Sequence, residues 1–80
     1  MKWKSNKIKK KMYQTHQKCM QTLRFSKDHP RFQKALQYHY DSADLITDFS
    51  MKYHSFQEVQ WLKTMINLHK FHSEILNTRL

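Results

Sequence analysis

The chain of 80 residues contains no glycine, one proline and one cysteine. Tight two-residue hairpin turns and left-handed helix caps depend on glycine, so its absence argues against a β-sheet and favours helices joined by short polar turns. A single cysteine cannot form an internal disulfide, which makes an oxidising compartment an unexpected location. We therefore expect an all-α protein that is located in the cytoplasm.

Long apolar runs are also missing, because no more than two apolar residues stand side by side anywhere in the chain. A membrane-spanning helix needs about 20 predominantly apolar residues, so none is expected. The first residues are basic, but the apolar stretch of a cleavable signal peptide does not follow them. A chain of this length is expected to form a single domain.

Acidic residues are scarce and unevenly placed. The chain has 15 Lys and Arg against six Asp and Glu, which gives a net charge of +9. Residues 1–34 hold eleven of these cations and one acid, so they carry +10, whereas residues 35–80 carry −1. A block of one sign needs counterions or a polyanionic partner.

The spacing of apolar residues predicts three helices of similar length. Their expected positions are about residues 5–25, 30–52 and 56–78. Asp28 is a candidate cap for the second helix, and Pro30 suits its first turn. Ser55 and Glu58 have the spacing of a capping box in front of the third helix. Short turns between helices about 33 Å long predict an antiparallel up-down-up three-helix bundle.

The first helix has the thinnest apolar stripe, which relies on Ile8, two methionines and Leu23. Weak docking of this helix is therefore expected, and the other two helices could then pair with a second copy in a homodimer. Lysines near a helix N-terminus oppose the helix dipole, so residues 1–4 are expected to be frayed.

The lysines of the first helix form the first candidate binding site. Lys7 repels Lys10 and Lys11 one turn later, and a polyanion would relieve this repulsion. Contact with nucleic-acid phosphates, without base specificity, is the leading interpretation. An anionic membrane surface, an acidic protein, or a solvated face partly neutralised by Asp48 are the alternatives. Lysines on an exposed helix face are most often simply solvated, and nucleic acid comes first only among the functional interpretations. The predicted contact residues are Lys2, Lys4, Lys7, Lys9, Lys10, Lys11, Lys18 and Arg24.

Histidines and the cysteine form the second candidate site. His16 with Cys19, and His69 with His72, are pairs at i and i+3, and His39 lies on the inward side of the second helix. Alignment of the helices across the turns places all five near the middle of the bundle. A pH-sensitive polar layer that sets helix register is the favoured interpretation. A zinc site is one alternative, and no shared layer at all is the other.

Catalysis is not expected, because a glycine-rich phosphate loop cannot form and Cys19 is expected to be buried. Apart from zinc, the sequence suggests no cofactor. It predicts a small non-enzymatic binding or regulatory protein whose basic helix contacts nucleic acid. A protein-interaction module, such as an inhibitor or adaptor, and a metal-binding helical bundle are the alternative functions.

Overall fold

The computed structural model is the antiparallel up-down-up three-helix bundle that the sequence predicts. Its helices are α1 (Lys2–Thr22), α2 (Pro30–Lys52) and α3 (Phe56–Arg79). The structure describes the backbone of residues 2–79 and the side chains of residues 5–79. The first helix begins at Lys2, ahead of its predicted start near residue 5, and the fraying expected for residues 1–4 stays a prediction. Within the described residues, no helix combines the length and the apolar character that crossing a membrane requires.

The first helix ends at Thr22, before its predicted end near Phe25. The Thr22 hydroxyl donates a hydrogen bond to the Cys19 carbonyl at 2.8 Å, and the Phe25 N–H donates to the Thr22 carbonyl at 3.3 Å in a tight turn. Arg79, at the end of α3, donates to the carbonyls of Leu23 and Phe25. These contacts satisfy the terminal carbonyls of α1 and attach its turn to α3.

The second helix begins at Pro30, as predicted, but its cap is His29 and not Asp28. The Nδ1 atom of His29 accepts a hydrogen bond from the Arg31 N–H at 3.1 Å. Proline occupies the first helical position, so the cap has to be the residue immediately before it. Asp28 lies one position too early to serve as the cap.

The third helix begins with the predicted capping box. The Glu58 N–H donates to the Ser55 hydroxyl oxygen at 3.3 Å, and the Ser55 hydroxyl donates to the Glu58 carboxylate at 2.7 Å. The hydrogen bond from the Ser55 hydroxyl is the main cause that lowers the pKa of Glu58 from its ordinary value.

Replacing the cap tests how much it stabilises the helix. We expect Ser55→Ala to lower the free energy of unfolding by about 1 kcal/mol, because an N–H group of the first turn loses its acceptor. Urea unfolding followed by circular dichroism measures the change. Ser50→Ala is the matched control, since Ser50 is exposed inside α2 and only bonds back to the Thr47 carbonyl. An equal loss in the two variants would contradict a capping role.

The first helix does not dock weakly, because α1 and α2 share the most extensive of the three helix interfaces. Thr15 of α1 is a small polar residue that is buried and lines a depression with residues of α2. The Thr15 hydroxyl donates to the Lys11 carbonyl of its own helix at 2.8 Å, so its burial leaves no donor unpaired. A count of apolar residues alone missed this contribution. The predicted homodimer stays a prediction.

The apolar core is divided into two clusters along the bundle. The cluster near the α1–α2 turn consists of Cys19, Leu23, Phe32, Ala35 and Leu76. The cluster toward the other end consists of Met12, Phe49 and Met65. Along each helix, polar residues lie between the members of these two clusters.

Candidate metal centre and basic face

Four histidines and a serine separate the two apolar clusters, and we call this set the histidine layer. It consists of His16 from α1, His39 and Ser42 from α2, and His69 and His72 from α3. His72 is completely buried, and Ser42 is nearly so. The structure thus brings together all four histidines of the predicted site.

Hydrogen bonds and ring contacts join α2 to α3 within the histidine layer. The Nδ1 atoms of His39 and His72 lie 2.8 Å apart, so one of them donates and the other accepts. The Nδ1 atom of His69 lies 3.2 Å from the Ser42 hydroxyl oxygen. The rings of His39 and His69 stack with their centroids 4.1 Å apart. These contacts specify the register of the two helices.

Two ring nitrogens of the layer remain unsatisfied. Neither His72 Nε2 nor His16 Nδ1 has a hydrogen-bond partner among the residues that the structure describes, although both atoms are buried. The two rings lie 5.5 Å apart between their centroids. An unpaired buried polar group costs about 1–3 kcal/mol, so these two atoms lower the free energy of unfolding of the protein.

Burial lowers the pKa of every histidine in the layer. The pKa of His72 falls to about 3, because burial disfavours its charged form and the histidines around it add repulsion. Burial also lowers the pKa of His16, His39 and His69 from the ordinary value of 6.5. The rings are therefore neutral at pH 7, and each has a lone pair that can bind a proton donor or a metal ion.

Three of these histidines have the arrangement of a metal site. One ring nitrogen from each of His39, His69 and His72 lies within 4.8 Å of the other two. His16 contacts the His72 ring but does not belong to this close set. Neutral imidazole is a common ligand for zinc, copper and nickel ions.

Cys19 is placed apart from these nitrogens. It is completely buried in the apolar cluster with Leu23 and Leu76, and its thiol lies 3.5 Å from the Ala35 carbonyl oxygen, to which it donates. Burial raises the pKa of the thiol to about 11. Metal binding and nucleophilic attack both need a thiolate, so Cys19 suits neither role. The predicted ligand set is corrected to histidines only.

The second candidate site is an exposed surface of α1 and α2. Lys7, Lys10, Lys11 and Lys18 line a shallow depression of about 550 Å³ along α1. Lys18 also borders a depression of about 260 Å³ between the two helices, which Arg31 and Lys34 complete. We call these six cationic side chains the basic face.

Sequence reasoning missed Arg31 and Lys34 as members of this face. They follow the break at Pro30, and the prediction considered only the first helix and its turn. The antiparallel hairpin places the first turns of α2 beside the last turns of α1, where both side chains join Lys18. The short turn and the charge of residues 1–34 were the signals that could have identified them.

Of the other predicted contact residues, the structure describes the side chains of two, and neither lines these depressions. The Nζ atom of Lys9 lies 5.9 Å from the centre of the Trp61 ring, so this half-buried side chain faces α3. Arg24 is exposed in the turn that follows α1. The side chains of Lys2 and Lys4 lie outside the described residues.

Two acidic residues border the basic face. Asp41 and Asp44 share a depression of about 380 Å³ with Lys11 and Lys18. Asp48 is paired with Lys52 of its own helix at 3.2 Å, and its expected neutralisation of the start of α1 stays a prediction. Six cations against two carboxylates leave this surface with an excess of positive charge.

The histidine layer and the basic face are separate features, one inside the bundle and the other on its surface. Each has a chemistry that suggests a binding function. No protein-family model, no curated protein and no solved structure matches this chain.

Proposed function

We propose that this protein is a non-enzymatic nucleic-acid-binding protein that holds backbone phosphates on its basic face. The observation that carries the proposal is the convergence of six cations, from two tightly packed helices, on one exposed surface. Phosphate contacts of lysine and arginine supply most of the free energy of sequence-independent binding. The protein is therefore expected to bind duplexes of different sequence with similar affinity.

The dimensions of the basic face suit a phosphate backbone. Lys7 and Lys18 are separated by eleven residues of α1, or about 16 Å at 1.5 Å per residue. This length equals the axial rise of about five nucleotides of one strand. The helix can thus follow one strand while Arg31 and Lys34 approach it from α2.

The neutral residues among these cations favour nucleic acid over a membrane surface. Gln14 and Gln21 line the same depressions, and amide groups donate hydrogen bonds to phosphates. A helix that lies on a membrane instead needs an exposed apolar face beside its cations. Met12 of α1 and Leu23, which follows the helix, are buried in the bundle and cannot insert into lipid.

Removal of two lysines tests the proposal. Six phosphate contacts predict a slope of about −5 in a plot of log K against log salt concentration. We expect Lys10→Gln/Lys18→Gln to change this slope to about −3.5 and to weaken binding at least tenfold at low salt, because two contacts are lost. Fluorescence anisotropy of a labelled duplex at several NaCl concentrations measures both quantities.

A charge-matched variant separates a local contact from net charge. Lys63→Gln/Lys70→Gln removes the same charge from exposed positions of α3, and we expect it to bind almost as the wild type does. Equal losses in the two double variants would contradict the basic face as the contact surface. Failure of the wild type to bind duplex at about 50 mM salt, or binding to anionic vesicles alone, would overturn the proposed function.

A further inference from the structure

We propose that the histidine layer is a zinc-binding site, in which His39, His69 and His72 are the three protein ligands. The inference concerns the interior of the bundle and does not depend on the nucleic-acid-binding function. Three protein ligands leave the fourth position of a tetrahedral zinc site to a water molecule.

The ligand nitrogens are already close to the required geometry. Zn–N bonds of 2.0–2.1 Å in a tetrahedral site place ligand nitrogens about 3.4 Å apart. The Nδ1 atoms of His39 and His72 are 2.8 Å apart, and all three ligand nitrogens lie within 4.8 Å of one another. Small ring rotations reach the zinc geometry, and His39 and His69 are only half-buried, so their rings have room to rotate.

The hydrogen bond between His39 and His72 also suits a bound cation, because their two Nδ1 atoms already point at one another. In the metal-free protein, one of the two Nδ1 atoms of His39 and His72 must carry the proton of their hydrogen bond. A zinc ion between these atoms takes the position of that proton, which moves to the Nε2 atom of the same ring.

The unsatisfied nitrogens are explained by the same arrangement. Zinc bound at Nδ1 of His72 requires the proton of that ring to be on Nε2, the buried atom for which the structure describes no partner. His16 Nδ1 is also buried, and the structure describes no hydrogen-bond partner for it. The centroid of its ring is 5.5 Å from that of His72. A small rotation then joins the two as donor and acceptor. Ser42 holds the His69 ring in the same way, and such outer contacts orient metal-bound histidines.

Titration of the EDTA-treated, dialysed protein with ZnCl₂ tests the site. We expect calorimetry to show one zinc ion per chain, and Tm to rise by about 10 °C at a zinc concentration 100-fold above Kd. Co²⁺ in place of zinc is expected to show the intense visible absorption of a four-coordinate ion. Absence of both stoichiometric binding and a rise in Tm would overturn the proposal.

Substitutions of the proposed ligands test where the zinc ion binds. His39→Gln and His69→Gln replace half-buried rings, and we expect each to weaken zinc binding at least 100-fold while circular dichroism shows an intact helical fold. His54→Gln is the matched control, because it removes an exposed histidine from the α2–α3 turn and should leave zinc affinity unchanged. Wild-type affinity in His39→Gln, or an equal loss in His54→Gln, would assign the zinc to the protein surface and contradict the site.

Discussion

Acidification of the metal-free protein from pH 7 to pH 5 is expected to lower its free energy of unfolding by about 2 kcal/mol through His72 alone. This ring is completely buried, and its pKa is lowered to about 3. The rings that face it are His16 from α1, His39 from α2 and His69 from α3, and burial lowers their pKa values as well. Their protonation adds to the loss.

The sign of the effect follows from the direction of these pKa shifts. The unfolded chain takes up a proton at each histidine as the pH falls through about 6.5. The folded protein resists this uptake down to a lower pH, about 3 for His72. Stability is therefore complete above pH 6.5 and is lost as the pH falls from there toward the folded pKa. Between these two pKa values His72 contributes a slope of up to about 1.4 kcal/mol per pH unit.

Urea unfolding in EDTA at half-unit steps between pH 7.5 and 5 measures this slope. The double variant His39→Gln/His69→Gln is expected to flatten it, because two of the histidines are removed and His72 loses the repulsion of both. The control His54→Gln lies outside the histidine layer and should keep the wild-type slope. A slope that is the same in all three proteins would show that the layer is not the source of acid sensitivity.

The second large effect is expected from Phe49→Ala, which should lower the free energy of unfolding by about 3–5 kcal/mol. Phe49 is completely buried, where it joins Met12 and Met65 in one apolar cluster and lies 4.8 Å from the Tyr53 ring centre. Its truncation loses apolar burial and leaves a cavity. A domain of 80 residues has about 4–12 kcal/mol of stability, so the variant is expected to be close to unfolding.

Urea unfolding at pH 7.5 measures this loss. A conservative variant at the same position and an alanine variant at an exposed position serve as comparisons. Phe49→Leu keeps most of the volume and is expected to cost about 1–2 kcal/mol, which remains measurable if the alanine variant is unfolded. Phe56→Ala removes the same ring from a position that is 78% exposed, so a change below about 0.5 kcal/mol is expected. Equal losses at positions 49 and 56 would contradict the assignment of the core.

The fold was largely predictable because its main signals are local. The lack of glycine, the proline at the start of α2 and the Ser55 capping box each act within a few residues. The end of α1 was not predictable in this way. The turn after Thr22 is bound by Arg79, which is 56 residues from Leu23 in the chain and donates to its carbonyl. No local pattern contains such a contact.

The candidate sites were also predictable only where the signal lies within one helix. Helical spacing indicated a level shared by the four histidines but left the absence of a layer as an alternative, because the register depends on the lengths of the turns. The structure places their rings in contact. Helical spacing could not separate Cys19 from them, since that requires knowing that its thiol packs against the Ala35 carbonyl. It also could not show that Lys9 turns toward Trp61, or that Arg31 and Lys34 join the basic face.

By itself, the sequence determined that this protein is helical, where two of its helices begin, and that its positive charge is concentrated in residues 1–34. Propensity, capping and composition are properties of neighbouring residues, so they are present before the chain folds. Only the tertiary structure decided which cations share a surface and which histidine nitrogens lie within bonding range of one another. Those distances join residues on different helices, and helix packing alone establishes them.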